Sequence, residues 1–283
     1  MKKKILIPTD FSKNAWNALT YASDLFEHVE CVFYVLNAYD AKPYSIGDLM
    51  VPEPGSPSYE SAKDQAVNGL AKIMDMLDFR ETNHKHTYEF IAELNDPLTA
   101  MKNFIEQRDI ELVVMGTKGA SNSRGSLFGS NTIMAMEKLR ACPVMGVPLD
   151  ARVAYVKEIV LPTSYKTYYK RRELTHLVEI ARLHDATISV IHVNTTEVLT
   201  EKQEKSKTLL EECLEGATYS FHHVHGTDVT AGVRDFTESH DSDMLAIINR
   251  KHAFFGSVFT TPLVKELGMF TRVPLLVMHD IQV

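Results

Sequence analysis

The sequence is poor in cysteine, in positive charge and in long apolar runs, and each shortage excludes a class of protein. Its three cysteines, Cys31, Cys142 and Cys213, are odd in number and far apart, which argues against a disulfide-stapled secreted fold and indicates a reducing compartment. A formal net charge of −7 provides no basic surface, so neither nucleic acid nor an anionic membrane is an expected partner. Because no apolar run has the length of a signal peptide or a membrane span, we expect a cytoplasmic protein.

The composition is that of a globular protein, and 283 residues are enough for two domains. Short apolar runs alternate with segments of helical periodicity, an order that predicts a parallel sheet covered by helices on both faces. Ser12 and Asp96-Pro97 are expected to begin helices, and the Pro- and Gly-rich segment 39–58 is expected to be a surface loop. The strands predicted in the first half are Lys4–Pro8, Cys31–Ala38, His86–Ile91, Asp109–Met115 and Val144–Val147.

The second half of the sequence repeats the first in weakened form. The segment Lys4–Asp10, KILIPTD, returns as Glu158–Ser164, EIVLPTS, and Phe128–Ser130 returns as Phe255–Ser257. Self-similarity of this kind indicates duplication. We therefore predict an α/β protein of two tandem domains, residues 1–150 and 151–283, each with a five-stranded, mainly parallel sheet flanked by helices.

A glycine-containing loop between the fourth strand and the next helix is the strongest candidate for a ligand site. Gly116, Gly119 and Gly129, with Ser130, connect the strand to the helical pattern TIMAMEKLRA. Glycines let backbone N–H groups approach a ligand, and a helix N-terminus favours an anion, so the arrangement suits phosphate. Two simpler interpretations stay open: the glycines permit a tight turn, and Ser130 caps the helix.

The same residues resemble a known family. Gly116, Gly119, Gly129 and Ser130 match the pattern G-x2-G-x9-G-[S/T] of the ATP-binding universal stress proteins, and Pro8–Ser12 is similar to that family's opening strand and acidic residue. The resemblance implies a tandem UspA-type protein with a Rossmann-like (adenine nucleotide alpha hydrolase-like) fold in each domain. It also implies that the two domains pair through their terminal strands within one chain, and it leaves a homodimer open.

The resemblance implies a site for ATP, ADP or AMP, with or without Mg²⁺, in the first domain. Thr9 and Asp10 would approach the adenine or ribose, and Ala38 would back the adenine, while the glycine loop would line the ribose and phosphate. From the residues alone, Asp10 serves equally well as a cap for the following helix. The nucleotide-binding residues implied are Thr9, Asp10, Ala38, Met115, Gly116, Thr117, Gly119, Gly129, Ser130 and Asn131.

The second half departs from the pattern where the ligand would lie. Ser164 stands at the position of Asp10, and Asn249–His252 replaces Gly116–Gly119. Three residues, rather than nine, then precede the next glycine. Side chains thus occupy places where bare backbone is needed, and we predict that this half does not bind nucleotide.

Two classes of function follow. The first is a nucleotide-binding stress-response or signalling module; the second is a scaffold or interaction module of the same fold without nucleotide, with a protein partner that the sequence does not identify. No catalytic residue is predicted, slow ATP hydrolysis is left open, and the P-loop, G-x-G-x-x-G and G-x-S-x-G patterns are absent from the sequence. The cluster His222, His223 and His225 is interpreted as alternating strand residues rather than as a metal site.

Overall fold

The computed structural model describes residues 2–40, 55–118, 128–152, 155–250 and 263–280. Strands and helices alternate through these residues, as the sequence predicts. The first half consists of β1 (Lys3–Pro8), α1 (Lys13–Leu25), β2 (Cys31–Tyr39), α2 (Pro57–Asp78), β3 (His86–Leu94), α3 (Pro97–Arg108), β4 (Leu112–Gly116), α4 (Ser130–Lys138) and β5 (Val144–Val147). The second half consists of β6 (Glu158–Pro162), α5 (Arg171–Leu183), β7 (Thr187–Asn194), α6 (Glu201–Cys213), β8 (Thr218–His225), α7 (Val229–Ser239), β9 (Met244–Asn249), α8 (Leu263–Phe270) and β10 (Leu275–His279).

The strands form one ten-stranded sheet in the order β3-β2-β1-β4-β5-β10-β9-β6-β7-β8. Neighbouring strands run parallel within each half, and β5 pairs with β10 antiparallel, with Met145 opposite Leu276. Each half therefore has the doubly wound order of a Rossmann-like unit. The predicted α/β class with a mainly parallel sheet is confirmed.

The sheet is buried on both faces because successive side chains of its strands point to opposite sides. In β1, Ile5 and Ile7 pack in one apolar cluster with helices α1, α2, α5 and α6, whereas Leu6 packs in the other with α3, α4, α7 and α8. All three β1 side chains are fully buried. A near-continuous apolar run such as ILI is what a central parallel strand requires.

The helix starts predicted at Ser12 and at Asp96-Pro97 are confirmed. The Ser12 hydroxyl accepts the Ala15 N–H at the start of α1, and the Asp96 carboxylate accepts the Leu98 and Thr99 N–H groups at the start of α3. The prediction that β4 begins at Asp109 is wrong. Asp109 instead ends α3 in the left-handed conformation, with φ of 52°, which Asp tolerates better than most residues. Most of the predicted loop 39–58 falls on residues 41–54, outside the described ranges.

Candidate functional site

The candidate site lies where the strand order of the first half changes direction, between β1 and β4. The chain leaves β1 into α1 on one face of the sheet and leaves β4 towards α4 on the other face. The two exits separate and leave a crevice at the carboxyl ends of the strands, where ligands of open α/β sheets bind.

The crevice contains a cavity of about 460 Å³. Most of the predicted site residues lie in its wall: Thr9, Asp10, Ala38, Met115, Gly116, Gly129, Ser130 and Asn131. Two predicted residues do not. Thr117 is buried outside the wall, and Gly119 lies outside the described residues.

Part of the wall was missed by reasoning from the sequence. Pro97 and Met101 of α3 face the cavity, because the crossover after β3 returns helix α3 over the carboxyl ends of β1 and β2. The helix start at Asp96-Pro97 was a usable signal, since it follows a strand end at this edge. Asn37 also lines the cavity, and its Nδ2 donates to the Thr9 carbonyl oxygen over 2.7 Å. The other wall residues not predicted are Pro8, Ala15, Leu36, Lys118 and Thr132.

Asp10 is held at the mouth of the cavity by a tight turn. Its Oδ1 accepts the Ser12 N–H over 3.1 Å, and the Thr9 hydroxyl accepts the Phe11 N–H over 3.1 Å. Phe11 adopts a left-handed backbone, with φ of 63°, which is strained for a bulky side chain. Ser12, and not Asp10, caps α1, so the capping alternative for Asp10 is wrong.

The described ends of the glycine loop are fixed by backbone contacts. The Gly129 N–H donates to the Thr117 carbonyl, and the Thr132 hydroxyl donates to the Gly116 carbonyl over 2.8 Å. A Cβ on Gly116 would lie 2.8 Å from the Asn14 carbonyl, so this glycine is required by close packing of β4 against α1. Gly116 is the last residue of β4, so close packing, and not the tight turn considered from the sequence, accounts for a glycine at this position.

Helix α4 begins at the cavity wall. Its N-cap is Gly129, which has no side chain to form a capping bond, so the alternative that Ser130 is the cap is wrong. Ser130 and Asn131 are the first residues of the helix and face the cavity. An exposed helix N-terminus favours an anion by about 0.3 to 1 kcal/mol, so the first turn of α4 can bind phosphate only in concert with other donors.

At the corresponding place in the second half, the described residues enclose a smaller cavity. The cavity there measures about 100 Å³ and includes Thr163, Ser164 and Val193, which correspond to Thr9, Asp10 and Ala38. The connection from β6 to α5 is longer than its counterpart from β1 to α1. Its residue Tyr165 is buried, and the hydroxyl of Tyr169 contacts that of Thr163. The longer connection thus packs Tyr165 and Tyr169 into the apolar cluster on the α5 and α6 side of the sheet.

An ion pair occupies the start of the shortened loop. Arg250, the first residue after β9, places Nη2 2.9 Å from Oε2 of Glu173 on α5. Its guanidinium lies 5.4 Å from the centre of the Tyr169 ring. The Glu173 side chain is 1% exposed and the Arg250 side chain 17%, so the carboxylate is buried and the guanidinium is partly accessible to solvent. Lys251 and His252, also predicted to obstruct this half, lie outside the described residues.

The histidines of β8 divide between the faces of the sheet, as expected for a strand. The centre of the His222 ring lies 5.1 Å from that of Phe236 on α7, whereas Nδ1 of His223 lies 3.5 Å from Oε1 of Glu197 on the other side of the sheet. Within the described ranges no group of three or more His, Cys, Asp or Glu side chains could hold a metal ion. No helix in those ranges is long and apolar enough to cross a membrane.

Comparison with known proteins agrees with this architecture. Residues 1–148 match the model of the universal stress protein family. Over 147 residues, 51% of this chain and 81% of the relative, the sequence is 28% identical to a universal stress protein of Methanocaldococcus jannaschii. A solved universal stress protein from Archaeoglobus fulgidus DSM 4304 aligns over 97% of both chains at 15% identity, with a TM-score of 0.69. A functionally unknown protein from Pseudomonas aeruginosa PAO1 aligns over 98% of this chain and 92% of its own, at 13% identity and a TM-score of 0.61.

The structural likenesses establish the fold: a doubly wound α/β protein whose sheet repeats the Rossmann-like order twice. The sequence match establishes the family, because the family model covers more than half of the chain. The chain belongs to the universal stress protein family.

Proposed function

We propose that the first half binds one adenine nucleotide in the 460 Å³ cavity, that the second half binds none, and that the protein acts as a stress-response or signalling module. The observation that carries this proposal is the difference between the two halves at one place in the fold, about 460 Å³ against about 100 Å³. The larger volume lies in the range of small-molecule and cofactor sites, about 300 to 1,000 Å³. The smaller is far below it.

The wall of the larger cavity has the chemistry that a nucleotide needs. Leu36, Met101 and Met115 form an apolar surface for a purine ring, and the Asp10 carboxylate can accept from a ribose hydroxyl or an exocyclic amine. The first turn of α4 and the Lys118 side chain supply donors and positive charge for phosphate. ATP, ADP and AMP all suit this arrangement, and Mg²⁺ would accompany the triphosphate.

We propose binding, and not hydrolysis, as the working event. In this proposal, nucleotide binding changes a surface to which a protein partner binds. The β5–β10 pairing serves as the contact between two domains of one chain. The cysteines are free and buried, which supports a reducing compartment, and we propose the cytoplasm. Release of phosphate from ATP at many turnovers per chain would contradict a binding role.

Calorimetric titration of the full chain with ATP, ADP and AMP, each with and without Mg²⁺, tests the proposal. We expect one equivalent bound per chain. Asp10→Ala should weaken binding about tenfold, because a hydrogen bond to a charged group contributes about 1.5 kcal/mol or more. Ser164→Ala, at the corresponding place in the second half, is the matched control and should leave the affinity unchanged. Two equivalents would refute the asymmetry, and no heat with any nucleotide would favour the scaffold function.

A further inference from the structure

One buried amide beside the cavity belongs to no motif of the sequence. Asn14 is the second residue of α1 and is 5% exposed. Its Nδ2 donates to the Thr117 hydroxyl over 3.3 Å and to the Lys118 carbonyl over 3.2 Å. These are the first two residues after β4, and Lys118 lines the cavity. A single side chain of α1 therefore holds the described start of the glycine loop.

Asn14 lies behind the cavity wall and does not line it. Its Oδ1 is buried without a hydrogen-bond partner among the described residues. An unpaired buried acceptor destabilises a fold, so this amide is a poor choice if its role is only to stabilise α1. An amide at this position is better explained by its hydrogen bonds to Thr117 and Lys118 than by the packing of α1 against the sheet.

In the second half, an ion pair joins the start of the first helix to the start of the loop, where the first half has the hydrogen bonds of Asn14. There the first residue after the strand, Arg250, pairs with Glu173 near the start of α5. In both halves a side chain from the start of the first helix thus fixes the start of the loop. The neutral amide lies beside the larger cavity, whereas the ion pair lies over Tyr169 in the half whose described residues enclose the smaller cavity.

We infer that Asn14 is a positioning residue for ligand binding. By bonding to Thr117 and Lys118, it fixes the start of the glycine loop and so keeps Lys118 in the cavity wall, where the nucleotide would bind. The inference rests on the proposed function. Asn14 does not touch the ligand. It acts through the two residues whose hydroxyl and carbonyl it binds.

Helix α1 also supplies a matched control. Asn17 is similarly buried, but its Nδ2 donates to the Pro148 and Ala151 carbonyls, and its Oδ1 accepts from Arg152. Asn17 therefore has its amide bonded on both sides and away from the cavity. Loss of Asn17 removes three hydrogen bonds, against two for Asn14, and affects no described residue of the glycine loop between β4 and α4.

The experiment measures ATP affinity by calorimetry and thermal stability without ligand for the full-length wild type, Asn14→Ala and Asn17→Ala. We expect Asn14→Ala to raise the Kd about tenfold with a small fall in Tm. Asn17→Ala should lower Tm further and leave the Kd within about twofold, because its lost bonds lie away from the loop. If the two variants change the Kd equally, or if the Kd follows Tm, the inference is wrong.

Thr117→Val supplies a second measurement that does not depend on the folding of Asn14→Ala, because it removes only the hydroxyl that the amide binds. We expect it to weaken ATP binding, and the double variant with Asn14→Ala to be less than additive, since each change alone already breaks the Asn14–Thr117 hydrogen bond. Full additivity would refute the positioning role. Wild-type protein that binds no nucleotide would refute the proposed function and this inference together, whereas normal wild-type binding with an unaffected Asn14→Ala would refute this inference alone.

Discussion

We predict that His279, the last residue of β10, makes the stability of this protein sensitive to acid. The His279 side chain is 4% exposed, so its ring lies almost wholly out of solvent. Burial and, next, the charge of Arg140 lower the pKa of His279 from 6.5 to about 4, whereas the backbone of Asn249 and the charge of Asp280 act in the opposite direction. The folded chain therefore holds this ring neutral at pH values at which the unfolded chain protonates it.

The sign of the effect follows from which state binds the proton. Above pH 6.5 the ring is neutral in both states and contributes no pH dependence. As the pH falls below 6.5 only the unfolded chain is protonated, so the free energy of unfolding decreases until the folded chain also protonates near pH 4. The decrease from His279 alone amounts to about 2 kcal/mol at pH 5 and about 3 kcal/mol when complete.

Urea denaturation at pH 8 and pH 5 measures this effect. His279→Phe keeps a ring in the site and removes the titration, so its free energy of unfolding should fall about 2 kcal/mol less between the two pH values than that of the wild type. Burial also lowers the pKa of His86 and of His192, so the variant retains some acid sensitivity. His84→Gln, an exposed histidine, is the control and should behave as the wild type. An unchanged pH dependence in His279→Phe would refute the reasoning.

Three further predictions concern single contacts. Arg250→Ala leaves the Glu173 carboxylate buried without its partner and should cost about 3 kcal/mol of unfolding free energy without weakening ATP binding; a loss below about 1 kcal/mol in urea denaturation would contradict this. Lys3→Met removes the 2.6 Å contact with Glu179 that joins β1 to α5, and we expect denaturation to show a loss of roughly 1 to 3 kcal/mol. Gly116→Ala places a methyl group against the α1 backbone and should cost about 1 to 3 kcal/mol and weaken ATP binding in the same titration; unchanged affinity would show that the wall tolerates the shift.

Local patterns in the sequence were enough to predict the elements and much of the candidate site. Ser12 and Asp96 cap helices, and the repeated segment around Asp10 and Ser164 ends an equivalent strand in each half. Such features depend on neighbours within one turn or one strand, so residue type and spacing are sufficient to find them. The glycine spacing led to Gly129 and Ser130 in the same way, although not to the correct cap.

The antiparallel joining of β5 to β10 and the rest of the cavity wall depend on packing between distant segments. Pro97 and Met101 reach the cavity only because α3 returns over the sheet edge, and the Asn14 amide meets Thr117 only because α1 packs against β4. The burial of Tyr165 likewise depends on the path of the β6–α5 connection. The chain by itself determined the order of its elements and which half keeps the glycines, since these are set by near neighbours. Only the tertiary structure decided the volume of each cavity and the full set of residues in its wall, because the empty volume is what remains after side chains from separate elements have packed.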